Sequence, residues 1–222
     1  MRMILPAAAT LLITGAALAG ERPEAAVFPF VKGRYWLYDG IVRFADGGDE
    51  KEKKITGWRS EVVDTAEGKD FRAALLKGGP ADLTWYQEGK ERGDGIIVLT
   101  AKGEFHEVRG AEDIIGRFAA IKSTGELPDG FIGDETILFK FPPKTGDRFG
   151  DPEQTKLGPR YCWVVSDASS AKPEPAVKGV PAEDERLTIT LGYRTGPDHT
   201  NLRFVAGVGI TFYEYVPHGT KG

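Results

Sequence analysis

Leu187, Ile189, Leu191 and Tyr193 alternate with Thr188, Thr190, Gly192 and Arg194, and this period of two recurs along the chain. A period of two puts successive side chains on opposite faces, so each such run demands a strand with one face buried and one polar. Trp36, Tyr38, Val42 and Phe44 share one face of the run Arg34 to Phe44, and a second run follows at Ile55 to Thr65. Asp46-Gly47-Gly48-Asp49-Glu50 between them reads as a hairpin tip, with its charges in solvent. Further strands are predicted at Phe71 to Lys77, Leu83 to Glu88, Gly95 to Thr100, Glu104 to Val108, Thr136 to Phe141, Tyr161 to Val165 and Arg186 to Thr195. Gly and Pro, 29 and 14 in number, fall between these runs and punctuate them as turns do in a many-stranded sheet. The expected fold class is therefore all-β, a many-stranded sheet. At most one short helix is expected, over Asp113 to Ser123, where Ile114, Ile115, Phe118 and Ile121 recur at helical spacing and Gly116 weakens the pattern. Ser166 to Glu185, rich in Ser, Ala, Pro, Lys and Glu, reads as a mobile loop within a single domain.

The first nineteen residues carry a different signal. Arg2 precedes an uncharged apolar stretch from Ile4 to Ala16, and Ala17-Leu18-Ala19 ends it in an A-x-A pattern. This is the form of a secretory signal peptide cut before Gly20. The apolar run is shorter than the ~20 residues of a membrane span, and no other segment reaches that length. The expected location is periplasmic or extracellular, and the remaining chain suits one domain. A formal net charge of −4 argues against nucleic acid and against electrostatic docking on anionic lipid. Cys162 is the single cysteine, so no intrachain disulfide forms, and its apolar neighbours Trp163, Val164 and Val165 mark it as a small buried hydrophobe.

Two short segments share F-P-x-x-x-G-x-x-aromatic: Phe28 to Trp36 and Phe141 to Phe149. Pro sets an extended approach, Gly a turn, and the aromatic anchors a new strand. The match either marks two halves of one sheet or is coincidence.

At the C-terminus, Asn201 to Val205 and Ile210 to Tyr215 read as a hairpin about Ala206-Gly207-Val208-Gly209. With Gly207 and Val208 as a two-residue loop, Val205 faces Ile210, Arg203 faces Phe212, Asn201 faces Glu214 and His199 faces Val216. Leu202, Phe204, Tyr213 and Tyr215 then form a core face. His199 and His218 become diagonal neighbours on the polar face, roughly 7–8 Å apart, with Asp198 adjacent. Two imidazoles and a carboxylate can hold zinc, whereas strand-end turns need the same polar residues for no other purpose than closure. His106 sits in a short strand that reads as exposed. Asp129, Asp134 and Glu135 lack EF-hand spacing. No metalloprotease, nucleophile-elbow, P-loop or dinucleotide motif is present, and no cofactor is implied.

Trp36, Tyr38, Trp58, Trp85, Tyr86 and Trp163 fall on four predicted strands. A curved sheet can gather Trp36, Tyr38, Trp58, Trp85 and Trp163 into a concave apolar wall, or spend them as core. The opening F-P-x-x-x-G-x-x-W and the ending G-x-G-I-T-x-Y-E-Y-x-x-H-G-T, at Gly207 to Thr220, resemble a group of uncharacterised exported bacterial proteins. The plan is also similar to periplasmic domains that share a half-barrel sheet with the lipoprotein carriers. That likeness implies one strongly curved antiparallel sheet, half-barrel or barrel-like, with an apolar concave side, and no catalytic residue carries over from it. The functional expectation is a non-catalytic envelope protein that binds an apolar ligand, a lipid or a lipidated partner in its sheet. The alternatives are an interaction or scaffold subunit with an envelope protein as partner, and a metal-dependent hydrolase using His199, His218 and Asp198.

Overall fold

A computed structural model of the protein describes residues 3–6, 27–46, 49–84, 86, 89, 91–172, 184–196 and 198–217. Among them, twelve strands make one antiparallel sheet. The first half is a meander of β2 (Tyr35–Asp46), β3 (Asp49–Glu67), β4 (Phe71–Lys77), β5 (Asp94–Thr100), β6 (Glu104–Arg109) and β7 (Ile137–Lys140). The second is a meander of β8 (Arg148–Phe149), β9 (Trp163–Ala171), β10 (Arg186–Arg194), β11 (His199–Val205) and β12 (Gly209–Val216). Strand β1 (Met3–Pro6) pairs with β2 on one side and β12 on the other, and so joins the halves. Edge strand β7 lies against β8 and β9, so the sheet curls until its ends meet. All-β with a strongly curved sheet is thus the observed fold.

The repeated motif has a structural counterpart. Gly33 N–H donates to Val62 O and Val62 N–H to Arg34 O, at 2.8 Å each. In the second half, Gly146 N–H donates to Val165 O at 2.8 Å and Val165 N–H to Asp147 O at 2.9 Å. Both glycines have positive φ, 83° and 94°, which closes the turn before the strand. Trp36 and Phe149 then stand in the strands that open each half, so the same nine-residue pattern starts each meander.

Alternation sorts the sheet into two layers. Inward residues, among them Trp36, Tyr38, Leu76, Phe105, Phe139, Leu191 and Phe204, fill the bend. Outward residues Phe71, Ala73, Leu75, Ile96, Val98 and Val108 are covered by helix α1 (Ile114–Thr124) through Ile114, Phe118 and Ile121. Gly116 serves this helix. The Asp113 carboxylate caps the N-terminus by accepting from Gly116 N–H at 3.1 Å, and a side chain at 116 would collide with that carboxylate. A second, six-residue helix, α2 (Pro152–Leu157), was not expected from the sequence. Asp151 caps it by accepting from Glu153 N–H at 2.8 Å and Gln154 N–H at 3.1 Å, and Pro152 takes the first helical position.

Four expectations are corrected. Where a strand was expected to start at Leu83, Pro80–Leu83 forms a 3-10 turn led by proline; of the expected span Leu83 to Glu88, residues 85, 87 and 88 lie outside the described set. The expected loop begins later, because Ser166 to Ala171 continue β9 and pair with β10; residues 173–183 lie outside the described set. The C-terminal hairpin holds the expected pairs Arg203 with Phe212, Asn201 with Glu214 and His199 with Val216. A bulge beyond Arg203 shifts the rest, so Phe204 faces Ile210, Val205 faces Gly209, and the loop has three residues. The physical reason is Val208, fully buried, whose backbone carbonyl accepts from Trp36.

His106 is buried, at 3% exposure, where an exposed strand was expected. Its Nδ1 bonds Thr136 Oγ1 at 2.9 Å and its Nε2 has no hydrogen-bond partner among the described residues. Burial lowers its pKa from the ordinary 6.5, and this outweighs the opposing pull of Glu104, Asp134 and Glu135 and of the Gly133 backbone. The unfolded chain therefore takes the proton first, and the contribution to stability, complete above pH 6.5, is lost as pH falls below it. Urea unfolding at pH 7 and pH 5 should show a smaller loss for His106→Gln than for the wild type. Equal losses would remove His106 as an acid-sensitive point.

Candidate functional site

Packed side chains occupy much of the bend, and Trp36, Tyr38 and Trp58, expected to line it, have separate duties. Trp36 is buried and donates from Nε1 to Val208 O at 2.7 Å; Tyr38 donates to Ile210 O at 2.8 Å. Burial pushes the Tyr38 hydroxyl pKa far above its ordinary value. Trp58, half-buried, donates to Gly78 O at 2.9 Å. Trp85 lies outside the described residues. Trp163 borders open space on two sides.

That space has two parts. Inside the bend, an interior cavity of about 110 Å³ is bordered by Trp163, Leu202, Ile210, Tyr213, Glu107 and Arg109. Arg109 donates from Nε to Glu107 and from Nη1 to Asp82 Oδ1, the latter at 3.3 Å, while Nη2 has no hydrogen-bond partner among the described residues. Burial works against the guanidinium charge, but Glu107 and Asp82 outweigh it and hold the pKa above its ordinary value. Tyr213 shares a 2.6 Å hydrogen bond with Thr84 Oγ1. This cavity is too small for a lipid chain, since ligand pockets run to roughly 300–1,000 Å³.

The second part is an open cleft of about 350 Å³, bordered by Tyr161, Trp163, Tyr193, Glu135 and Asp151. Trp163 and Tyr193 are direct cross-strand partners on β9 and β10, with ring centroids 5.3 Å apart and planes at 55°. They continue the inward rows Trp163–Val165 and Ile189–Leu191–Tyr193, so the cleft lies where those rows end. Tyr161 stands beside them, 47% exposed, with φ +58°. A bulky residue rarely adopts that conformation, and two bonds hold it: its N–H donates to Arg194 O at 2.6 Å, and its hydroxyl accepts from Gly196 N–H at 3.3 Å. Burial raises the Tyr193 pKa, with Cys162 and Tyr161 adding to it. Cys162, fully buried beneath, donates to Gly158 O at 3.5 Å, and burial raises its pKa. It is packing, as its sequence neighbours indicate.

Asp198 and His199 lie at the start of β11. Asp198 Oδ2 accepts from Tyr215 at 3.0 Å; burial, with this carboxylate, pushes the Tyr215 pKa up to about 12. His199 faces Val216, and His218 lies outside the described residues, so the set of Asp198, His199 and His218 is not assembled in what is described. Among the described residues, no three His, Cys, Asp or Glu side chains come together as a metal would need, and no helix is long and apolar enough to cross a membrane.

Sequence reading singled out Trp163 but not its two partners. Tyr193 was legible as the last inward residue of a clean alternation; Tyr161 carried no signal, because its place depends on a left-handed backbone set by β10.

No protein-family model, curated protein or solved structure matches this chain. Its function must be argued from the site.

Proposed function

We propose that this is an exported, non-catalytic binding protein whose small ligand seats on Trp163 in the cleft with Tyr161 and Tyr193. One observation carries the reading: these three rings border an open cleft of about 350 Å³, against a cavity of about 110 Å³ within the bend. Open ends of curved sheets are favoured ligand sites, and aromatic surfaces bind with little loss of conformational entropy. Export rests on the signal pattern of Met1 to Ala19. The site is moved from the concave wall expected above to the end of the sheet, because Trp36, Tyr38 and Trp58 are bonded into the structure.

A ligand-observed NMR screen of cationic, neutral and anionic fragments tests this. Binders should lose affinity about tenfold or more in Trp163→Ala. Trp163 also packs on the core, so Tyr161→Asn is the second variant: Asn tolerates the left-handed backbone and removes one ring. A screen in which no fragment responds to either change would overturn the reading.

A further inference from the structure

We infer that the cleft takes a small organic cation of the quaternary-ammonium class, an inference that rests on the cleft being the ligand site. The rings of Tyr161, Trp163 and Tyr193 present aromatic surface to the same space. Among the described residues, the two charged ones that border it, Glu135 and Asp151, are both acidic. Asp151 also caps α2, where its Oδ1 accepts from the backbone N–H groups of Glu153 and Gln154.

This combination selects by charge and by hydration. A carboxylate or phosphate ligand meets two like charges. A primary ammonium brings N–H groups that need acceptors, which ring faces supply poorly. An alkylated ammonium has no N–H, carries a diffuse positive charge over an apolar surface, and matches the negative faces of tyrosine and tryptophan. The held conformation of Tyr161 keeps the third ring in place before a ligand arrives, so less ordering is needed on binding.

The same trimethylammonium group occurs in free solutes and in lipid headgroups. Titration with choline and with its uncharged isostere 3,3-dimethylbutanol isolates the charge. Choline should bind about tenfold more tightly, and Tyr161→Asn should weaken it severalfold. Glu135→Gln should weaken choline about threefold and leave dimethylbutanol unchanged. Co-sedimentation with phosphatidylcholine vesicles, against phosphatidylglycerol vesicles, separates the sources: binding to the former that is lost in Tyr161→Asn assigns a headgroup, and choline binding alone assigns a free solute. Equal affinity for the two isosteres, both lost in Tyr161→Asn, would overturn the cation and leave the cleft as the ligand site. No binding of choline or of phosphatidylcholine vesicles would overturn the inference, and the fragment screen would then decide the cleft separately.

Discussion

Replacing Arg109 with Met lowers the free energy of unfolding by about 3–5 kcal/mol, measured by urea unfolding at neutral pH. Arg109 is the only cation hydrogen-bonded to both Glu107 and Asp82 among the described residues, and all three side chains are less than one-fifth exposed, at 18%, 16% and 12%. Removing the guanidinium takes away the cation that Glu107 and Asp82 share, at a site where both carboxylates are less than one-fifth exposed. Asp82 Oδ2 also accepts from Gly93 N–H at 2.9 Å, a bond that supplies no positive charge. The loss belongs to the stranded charges and not to an intrinsic strength of the ion pair, which gives a second expectation. The triple change Arg109→Met, Glu107→Gln, Asp82→Asn should recover most of what the single change loses, because neutral amides carry no buried charge. A single variant within about 1 kcal/mol of the wild type would show that water reaches this cluster freely.

Trp36→Ala should cost about 3–5 kcal/mol, and Trp36→Phe about 1–3 kcal/mol. The reason is the seam. Strands β2 and β12 have no ladder with each other, because β1 lies between them over Met3–Pro6. At the other end, closure is made by side chains: Trp36 to Val208 O and Tyr38 to Ile210 O. Trp36 also fills the space over Gly209, where a Cβ would come within 2.9 Å of its ring, and packs on Phe28 with centroids 5.7 Å apart. Phe keeps most of that packing and leaves the Val208 carbonyl without its donor; Ala loses both. A chain beginning at Gly20 lacks β1, so its seam rests more heavily on these two bonds, and Trp36→Ala should destabilise it more than it destabilises the full chain. The same loss in both chains would show that β1 adds nothing to closure.

The alternation in β10 fixed which face is buried, and Leu191 and Ile189 are indeed fully buried. Outer pairs of the β11–β12 hairpin were legible for the same reason, since a one-residue slip would expose Leu202 and Tyr213. The pairs next to the turn were not, because the bulge answers to a residue 172 positions away, Trp36. His106 was misread as exposed because β6 is covered on both faces, one side by the interior and the other by the 133–136 turn, whose Thr136 bonds the ring. A strand covered twice gives no polar side to read.

Taken by itself, the sequence determined the all-β class, the position of α1 and the buried state of Cys162. These depend on local periodicity and turn chemistry, which a linear chain displays. Only the tertiary structure decided that β1 joins the halves, that Trp36 and Tyr38 serve the seam, that Arg109 holds two carboxylates in the bend, and that Tyr161, Trp163 and Tyr193 share a cleft with Glu135 and Asp151. Each of those depends on curvature, which brings distant strands together at distances that no local pattern records.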